Sequence, residues 1–283
     1  MRIANIDGRL VLAIAREYID VATASEGAFG SDAQDIYQQW NEFTTWARAL
    51  DTDGLPRVDI TDTSVWEAPA PRPRQVFAIG LNYRDHADES QMQLPPSPTV
   101  FTKFPTSIGG HNQPVMLPNE SVDWEVELVV VIGKTADRVQ AEAAWSHIAG
   151  FTIGQDLSDR RLQLTGPAPQ FSLAKSHRGF APLGPQVVTV DELNDPHNLE
   201  INCALESGEV LQKARTSELI FPIPQLVEHL SSVCPLLPGD LIFTGTPAGV
   251  GAARNPQRFL RPGDVLISRI EGLGVLRTPL VAA

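Results

Sequence analysis

The sequence predicts an α+β chain in which strands dominate, with a small N-terminal unit (residues 1–70) ahead of a larger strand-rich body (71–283). Three observations carry this. From residue 75 onward, short apolar runs alternate with Gly and Pro turns, the pattern of strands joined by tight loops. Helical spacing is confined to a few short stretches. Between the two textures lies Ala68-Pro69-Ala70-Pro71-Arg72-Pro73-Arg74, a proline-rich linker predicted to be extended and stiff.

In the N-terminal unit, Arg9–Ala15 and Tyr18–Ala22 read as short strands. Ser31 with Gln34 resembles a capping box, and Ile36, Trp40, Phe43 and Ala47 follow at helical spacing. Such a stripe belongs to packing rather than to a cofactor. In the larger body, Gln75–Gly80, Leu128–Ile132, Leu241–Thr244 and Val265–Ser268 read as strands. Pro238-Gly239-Asp240 and Pro262-Gly263-Asp264 are turn signals ahead of the last two. Ala141–His147 and Ile223–Ser232 are the helix candidates, the second with Pro224 in its first turn.

The chain has 283 residues, is 42% hydrophobic and carries a formal net charge of −12, which argues against a nucleic-acid-binding face. A small anionic substrate remains compatible, because a bound metal and a few bases can invert the field within one cleft. Cys203 and Cys234 form no C-x-x-C pattern and read as two buried thiols. The N-terminus lacks the apolar segment of a signal peptide, and no apolar run approaches the roughly 20 residues of a membrane helix. A soluble cytoplasmic protein without a membrane partner is expected.

The chemistry centres on Asp123-Trp124-Glu125-Val126-Glu127, which runs into the strand at Leu128. Alternation puts Asp123, Glu125 and Glu127 on one face and Trp124, Val126 and Leu128 on the other. Buried neighbouring carboxylates repel, and a divalent cation offsets that cost; all-oxygen ligands favour Mg²⁺, Mn²⁺ or Ca²⁺ over zinc. The competing reading is a solvated edge strand.

Four further clusters bear on the choice. His86 and Glu89 are three apart after the Gln75–Gly80 strand, so on a helical turn they hydrogen bond and make a general base, or else a stray surface pair. Asp156 follows an apolar stretch and is either a third carboxylate ligand or a helix cap, while Arg160 either holds a substrate carboxylate or makes a surface salt bridge. Lys175 lies among apolar residues, aimed inward to stabilise negative charge or snorkelling to solvent. Thr244–Gly251 is Gly-rich without the Gly-Lys-Ser/Thr of a P-loop, and its N–H groups with the Thr246 hydroxyl suit an anion.

In this order the motifs resemble the fumarylacetoacetate hydrolase family: Gly80-Leu81-Asn82-Tyr83-x-x-His86-Ala87-x-Glu89, Glu125-Val126-Glu127-Leu128, Asp156 with Arg160 and Gln163, Lys175, Gly245-Thr246-Pro247-x-Gly249-Val250-Gly251, and Pro262 through Gly274. The resemblance covers about residues 75–283. It implies a mixed β-sandwich roll, a homodimer, and Mg²⁺ or Mn²⁺ held by Glu125, Glu127 and Asp156, leaving Asp123 to second-rank support or a solvated strand end. It implies a 2-oxo or 2,4-dioxo acid substrate gripped by Tyr83, Arg160, Gln163 and Thr246. His86 with Glu89 would activate water, Lys175 would steady the oxyanion, and the expected reaction is hydrolysis of a C–C bond in an acylpyruvate. Oxaloacetate decarboxylase and 2-hydroxyhepta-2,4-diene-1,7-dioate isomerase are the alternatives within the family, and a non-catalytic metal-binding protein the alternative outside it. Many members read Ala-Arg-Asp where this chain has Asp159-Arg160-Arg161. The polar, proline-containing stretch 86–98 is expected to act as a lid.

Overall fold

Every residue of the strand Val126–Ile132 is buried, and the rest of the molecule is arranged around it. The computed structural model describes residues 1–15, 17–61, 65–89 and 93–283. Val126–Ile132 pairs antiparallel with Ile148–Gln155 on one side, with Glu127 opposite Gly154. On its other side it pairs antiparallel with Leu241–Phe243, which runs parallel to Val76–Gly80. These strands belong to a mixed sheet that continues through Ala181–Val188 to Arg2–Ile6, Arg9–Ile14 and Glu17–Asp20 at one end and to Thr99–Thr102 at the other. A second sheet joins Val210–Arg215, Glu200–Leu205, Val265–Ile270, Gly274–Ala282 and Val115–Leu117. The α+β, β-rich sandwich expected from the sequence is the architecture found.

Side-chain alternation sets the layers. Trp124, Val126, Leu128, Val130 and Ile132 enter the core that also holds Ile201, Cys203, Leu266 and Leu276 of the second sheet. Val129 and Val131 enter a second core with Leu10, Tyr37, Trp40 and Phe43 from the N-terminal segment. A strand covered on both faces must be apolar throughout, which explains the unbroken run in the sequence.

Arg2–Ile6 is a strand the sequence reading did not pick out. It pairs with Ala181–Val188, Ile3 opposite Val187, so the N-terminal segment extends the large sheet instead of forming one of its own. The stretch from residue 68 to 74 runs against that segment: Tyr37 Oη donates to Pro69 O at 3.0 Å, and Asn5 Nδ2 to Ala68 O at 3.1 Å.

Some local expectations are corrected. The Ser31–Gln34 capping box does not form, because Asp32 Oδ1 takes the Gln34 N–H at 2.8 Å and the Gln34 side chain accepts from Arg72 N at 2.7 Å. A 3-10 turn over Asp35–Gln39 leads instead into the helix Trp40–Ala49, whose aromatic stripe packs as expected. The Tyr18–Ala22 strand stops at Asp20, whose side chain caps the turn Val21–Ala24. Ala141–His147 is a 3-10 helix, and Cys234, at the end of the helix Ile223–Val233, is only half-buried. Residues 90–92 of the expected lid lie outside the described residues. No helix among the described residues is long and apolar enough to cross a membrane.

Candidate metal centre

Three carboxylates meet where the two central strands begin and end. The chain breaks its strand geometry at Trp124 and Glu125, between Val122–Asp123 and Val126–Ile132. Asp156 directly follows Ile148–Gln155, and its N–H donates to Glu125 O at 2.8 Å. Gln155 Oε1 accepts the Glu125 N–H at 3.0 Å, fixing the break from the neighbouring strand. Glu125, Glu127 and Asp156 are all buried, each with a carboxylate oxygen within 4.8 Å of the others. Burial decides against the solvated-edge reading of these acids.

Three cations surround them. Lys175 Nζ, itself buried, donates to Glu125 Oε2 and Asp156 Oδ2 at 2.7 Å each, so it does not snorkel. Arg160 Nη2 donates to Glu125 Oε1 at 2.7 Å, Nε to Asp123 Oδ2 at 3.0 Å and Nη1 to Gln163 Oε1 at 3.0 Å. Lys103, which sequence reasoning missed, is fully buried and donates to Asp156 Oδ1 at 2.5 Å and to the Lys175 carbonyl. The signal for it was present, since Lys103 stands beside Phe104 after the strand Thr99–Thr102, a lysine in apolar company like Lys175.

Asp123 is no solvated strand end. It is fully buried and accepts the N–H groups of Trp124, Gly251 and Ala252, each at 2.8 Å, besides Arg160. Gly251 is required there, because a Cβ would lie 2.9 Å from Asp123 Oδ1 and 1.7 Å from Arg258 O.

The charges do not balance. Among the described residues, Asp123, Glu125, Glu127 and Asp156 face Lys103, Lys175 and Arg160, leaving one negative charge in excess. The imbalance falls on Glu127, which among the described residues is held by a single N–H donor, Gly245, at 2.7 Å. Burial, then repulsion from Asp156 and Glu125, pushes its carboxyl well above the usual range. Glu125 goes the other way: burial opposes it, but the Lys175 and Arg160 charges hold it down at about 2. Burial likewise opposes the charge on Lys175, yet Asp156 and Glu125 raise its ammonium above the ordinary value, whereas burial prevails at Lys103 and lowers it. A cluster of oxygen donors short of one positive charge fits a hard divalent cation, with Glu125, Glu127 and Asp156 as the residues to hold it.

The Gly-rich segment does bind anions, but they are the protein's own carboxylates. Gly245 N–H serves Glu127, Gly249 N–H serves Glu89 at 3.0 and 3.1 Å, and Gly251 and Ala252 serve Asp123. Gly245 sits at φ +102°, where a Cβ would meet Asn82 Cβ at 2.7 Å. The Thr246 hydroxyl is engaged within the protein, donating to Val126 O at 2.9 Å and accepting from Gln212 Nε2 at 2.8 Å.

His86 and Glu89 lie on the helix Arg84–Glu89, with Nδ1 3.3 Å from Glu89 Oε2. Burial opposes the Glu89 charge, but the bonds from His86 and the Gly249 N–H hold its carboxyl below the ordinary value. His86 is near enough to act electrostatically on Glu125, and Glu89 is joined through Gly249 N–H to the loop that also serves Glu127 and Asp123. Tyr83 is buried with a hydroxyl that has no hydrogen-bond partner among the described residues, and burial raises its pKa, assisted by Glu127. Arg161 is exposed and takes no part in the cluster.

Residues 75–281 match the family model described as fumarylacetoacetate (FAA) hydrolase C-terminal. The chain belongs to the fumarylacetoacetate hydrolase family. Among its relatives in that family, an oxaloacetate tautomerase of Bos taurus, described as mitochondrial, is 43% identical over 80% of this chain and 71% of its own length. A solved chain from Mycobacterium smegmatis is 53% identical, covers 100% of both chains and superposes with a TM-score of 0.94. The maleylpyruvate hydrolase of Sphingobium sp. SYK-6, solved with manganese(II) and pyruvate, is 28% identical over 100% of both chains, with a TM-score of 0.82. Family membership supports an enzyme acting on a small molecule, and the manganese of that neighbour accords with the buried acidic cluster here.

Proposed function

We propose that this protein is a divalent-metal-dependent enzyme that takes a short 2-oxo acid through its enolate, and that its leading reaction is keto–enol interconversion of an oxaloacetate-type diacid. The observation that carries the metal-dependent part is the buried triad Glu125, Glu127 and Asp156 with its missing positive charge. The tautomerase relatives at 43% identity support the choice of reaction. Hydrolysis of a C–C bond in an acylpyruvate, the expectation from the sequence, is the second reading, favoured by the hydrolase neighbour that holds pyruvate. The reading includes Mg²⁺ or Mn²⁺ as the cation and a homodimer as the working form.

Glu125, Glu127 and Asp156 would hold the cation. When bound, it supplies Lewis-acid stabilisation of negative charge developing on adjacent substrate oxygens. Lys175 adds a fixed positive charge where that oxyanion forms, pre-oriented by its two carboxylate partners. Arg160, with Gln163 braced against it, faces a substrate carboxylate. Glu89 fixes the imidazole through Nδ1, leaving His86 Nε2 to move a proton to or from carbon, or to take one from water in the hydrolytic reading.

The discriminating experiment follows loss of enol absorbance for oxaloacetate and for a panel of acylpyruvates, with products identified. Ketonisation of enol-oxaloacetate without pyruvate release supports the first reading, and carboxylic acid release from acylpyruvates the second. Failure to turn over any 2-oxo or 2,4-dioxo acid rejects both. His86→Ala is expected to slow the reaction by about 10²- to 10⁴-fold while Mn²⁺ affinity stays the same. A variant within twofold of the parent rate would remove the proton-transfer role.

A further inference from the structure

Asp159 lies outside the carboxylate cluster yet its hydrogen bonds join two of the chain segments that build it. From the segment carrying Asp123 and Glu125, Asn119 Nδ2 donates to its Oδ2 at 2.6 Å and Ser121 Oγ to its Oδ1 at 3.2 Å. From its own segment, Leu162 N–H donates to Oδ1 at 3.1 Å, capping the turn Arg160–Gln163. His177 Nε2, on the segment carrying Lys175, stands 3.4 Å from Oδ2 without a hydrogen bond to it. The backbone reinforces the junction, with Ser158 opposite Asp123, Asp159 opposite Val122, and Arg160 N–H donating to Ser121 O at 3.0 Å. Burial works against the Asp159 charge, but these donors hold its carboxyl below the ordinary range.

A four-residue turn cannot hold its own shape, so its cap decides where its side chains go. The side chain that matters is Arg160, whose fork spans Asp123 and Glu125. We propose that Asp159 is a positioning residue that fixes the Arg160 guanidinium by tying the 119–125 and 158–163 segments together. Its consequence for substrate rests on the reading under Proposed function, whereas its consequence for Arg160 does not.

The test compares Asp159→Ala and Asp159→Asn with the parent, using two readouts. The first is hydrogen exchange of the Arg160 Nε–H by ¹⁵N NMR, which needs no substrate. Exchange is expected to quicken at least about tenfold in the alanine variant and by less in the asparagine variant, which keeps the oxygen that caps Leu162 N–H but loses the acceptor for Asn119. The second is steady-state kinetics with oxaloacetate, where the alanine variant should raise KM about tenfold and leave kcat within about threefold. Unchanged Arg160 exchange in Asp159→Ala overturns the proposal, even if the variant melts earlier, since that would show a purely structural cap. Faster exchange in a protein that turns over no 2-oxo acid would sustain the positioning role and reject the assigned chemistry alone.

Discussion

Glu127→Gln is expected to abolish turnover, by about 10³-fold or more, while leaving the metal-free protein at least as stable as the parent. The first part follows from removing one of the three carboxylates that would hold the cation, whose Lewis acidity would lower the barrier by several kcal/mol. Mn²⁺ affinity should fall by more than about 100-fold, beyond the loss typical of an outer-shell partner. The second part follows from the charge imbalance: Glu127 is buried against Asp156 and Glu125, and an amide of the same shape removes that repulsion. Glu127 has a folded-state carboxyl raised above its unfolded value, so the stability it contributes is present at low pH and lost as pH rises through the folded value. The metal-free parent should therefore weaken as pH climbs out of the carboxylate range, and the variant should not. Glu125 has the opposite sign, since its stabilisation is present above the ordinary carboxylate value and lost as pH falls toward about 2. Urea midpoints across pH, with metal chelated, check both. A Glu127→Gln protein that still binds Mn²⁺ as the parent does would remove Glu127 from the ligand set.

Lys175→Met is expected to do the reverse, costing stability in the metal-free protein as well as activity. Its ammonium lies between Glu125 and Asp156, and deleting one member of a buried ion cluster typically costs roughly 3–5 kcal/mol. Arg160 and Lys103 still touch those carboxylates, which places the expected loss near the lower end of that range. Saturating Mn²⁺ should recover part of it, because the cation supplies charge where the ammonium is gone. Turnover should drop about 10²- to 10³-fold, as for loss of an oxyanion-stabilising group. A variant equally stable with and without Mn²⁺, and matching the parent, would show that Lys175 and the cation do not share one electrostatic site.

Much of this centre was legible in the sequence. The alternation at 123–128 separated the acids from Trp124, Val126 and Leu128, and the structure keeps that division. Asp156 was legible because it ends an apolar strand, and His86 with Glu89 because a spacing of three puts them on one helical face. What escaped was set by tertiary partners. Lys103 could not be ranked above other lysines until its distance to Asp156 was known. The anions held by the Gly-rich segment turned out to be Glu89, Asp123 and Glu127, contacts that span more than 100 residues of chain. Arg2–Ile6 did carry a local signal, since it forms an antiparallel hairpin with Arg9–Ile14 across Asp7-Gly8, and only its further pairing with Ala181–Val188 is set by distant sequence. The failed capping box has the same origin, as Gln34 is claimed by Arg72.

The central claim is that a divalent cation completes the charge of the Glu125, Glu127 and Asp156 cluster and that turnover depends on it. The most direct test strips the protein with chelator and titrates Mn²⁺ back while ketonisation of enol-oxaloacetate is followed. The account predicts no enzymatic rate in the stripped protein and a saturable return of rate that reaches its plateau at one Mn²⁺ per chain. Full turnover by the stripped protein, or Mn²⁺ binding that leaves the rate unchanged, would contradict it.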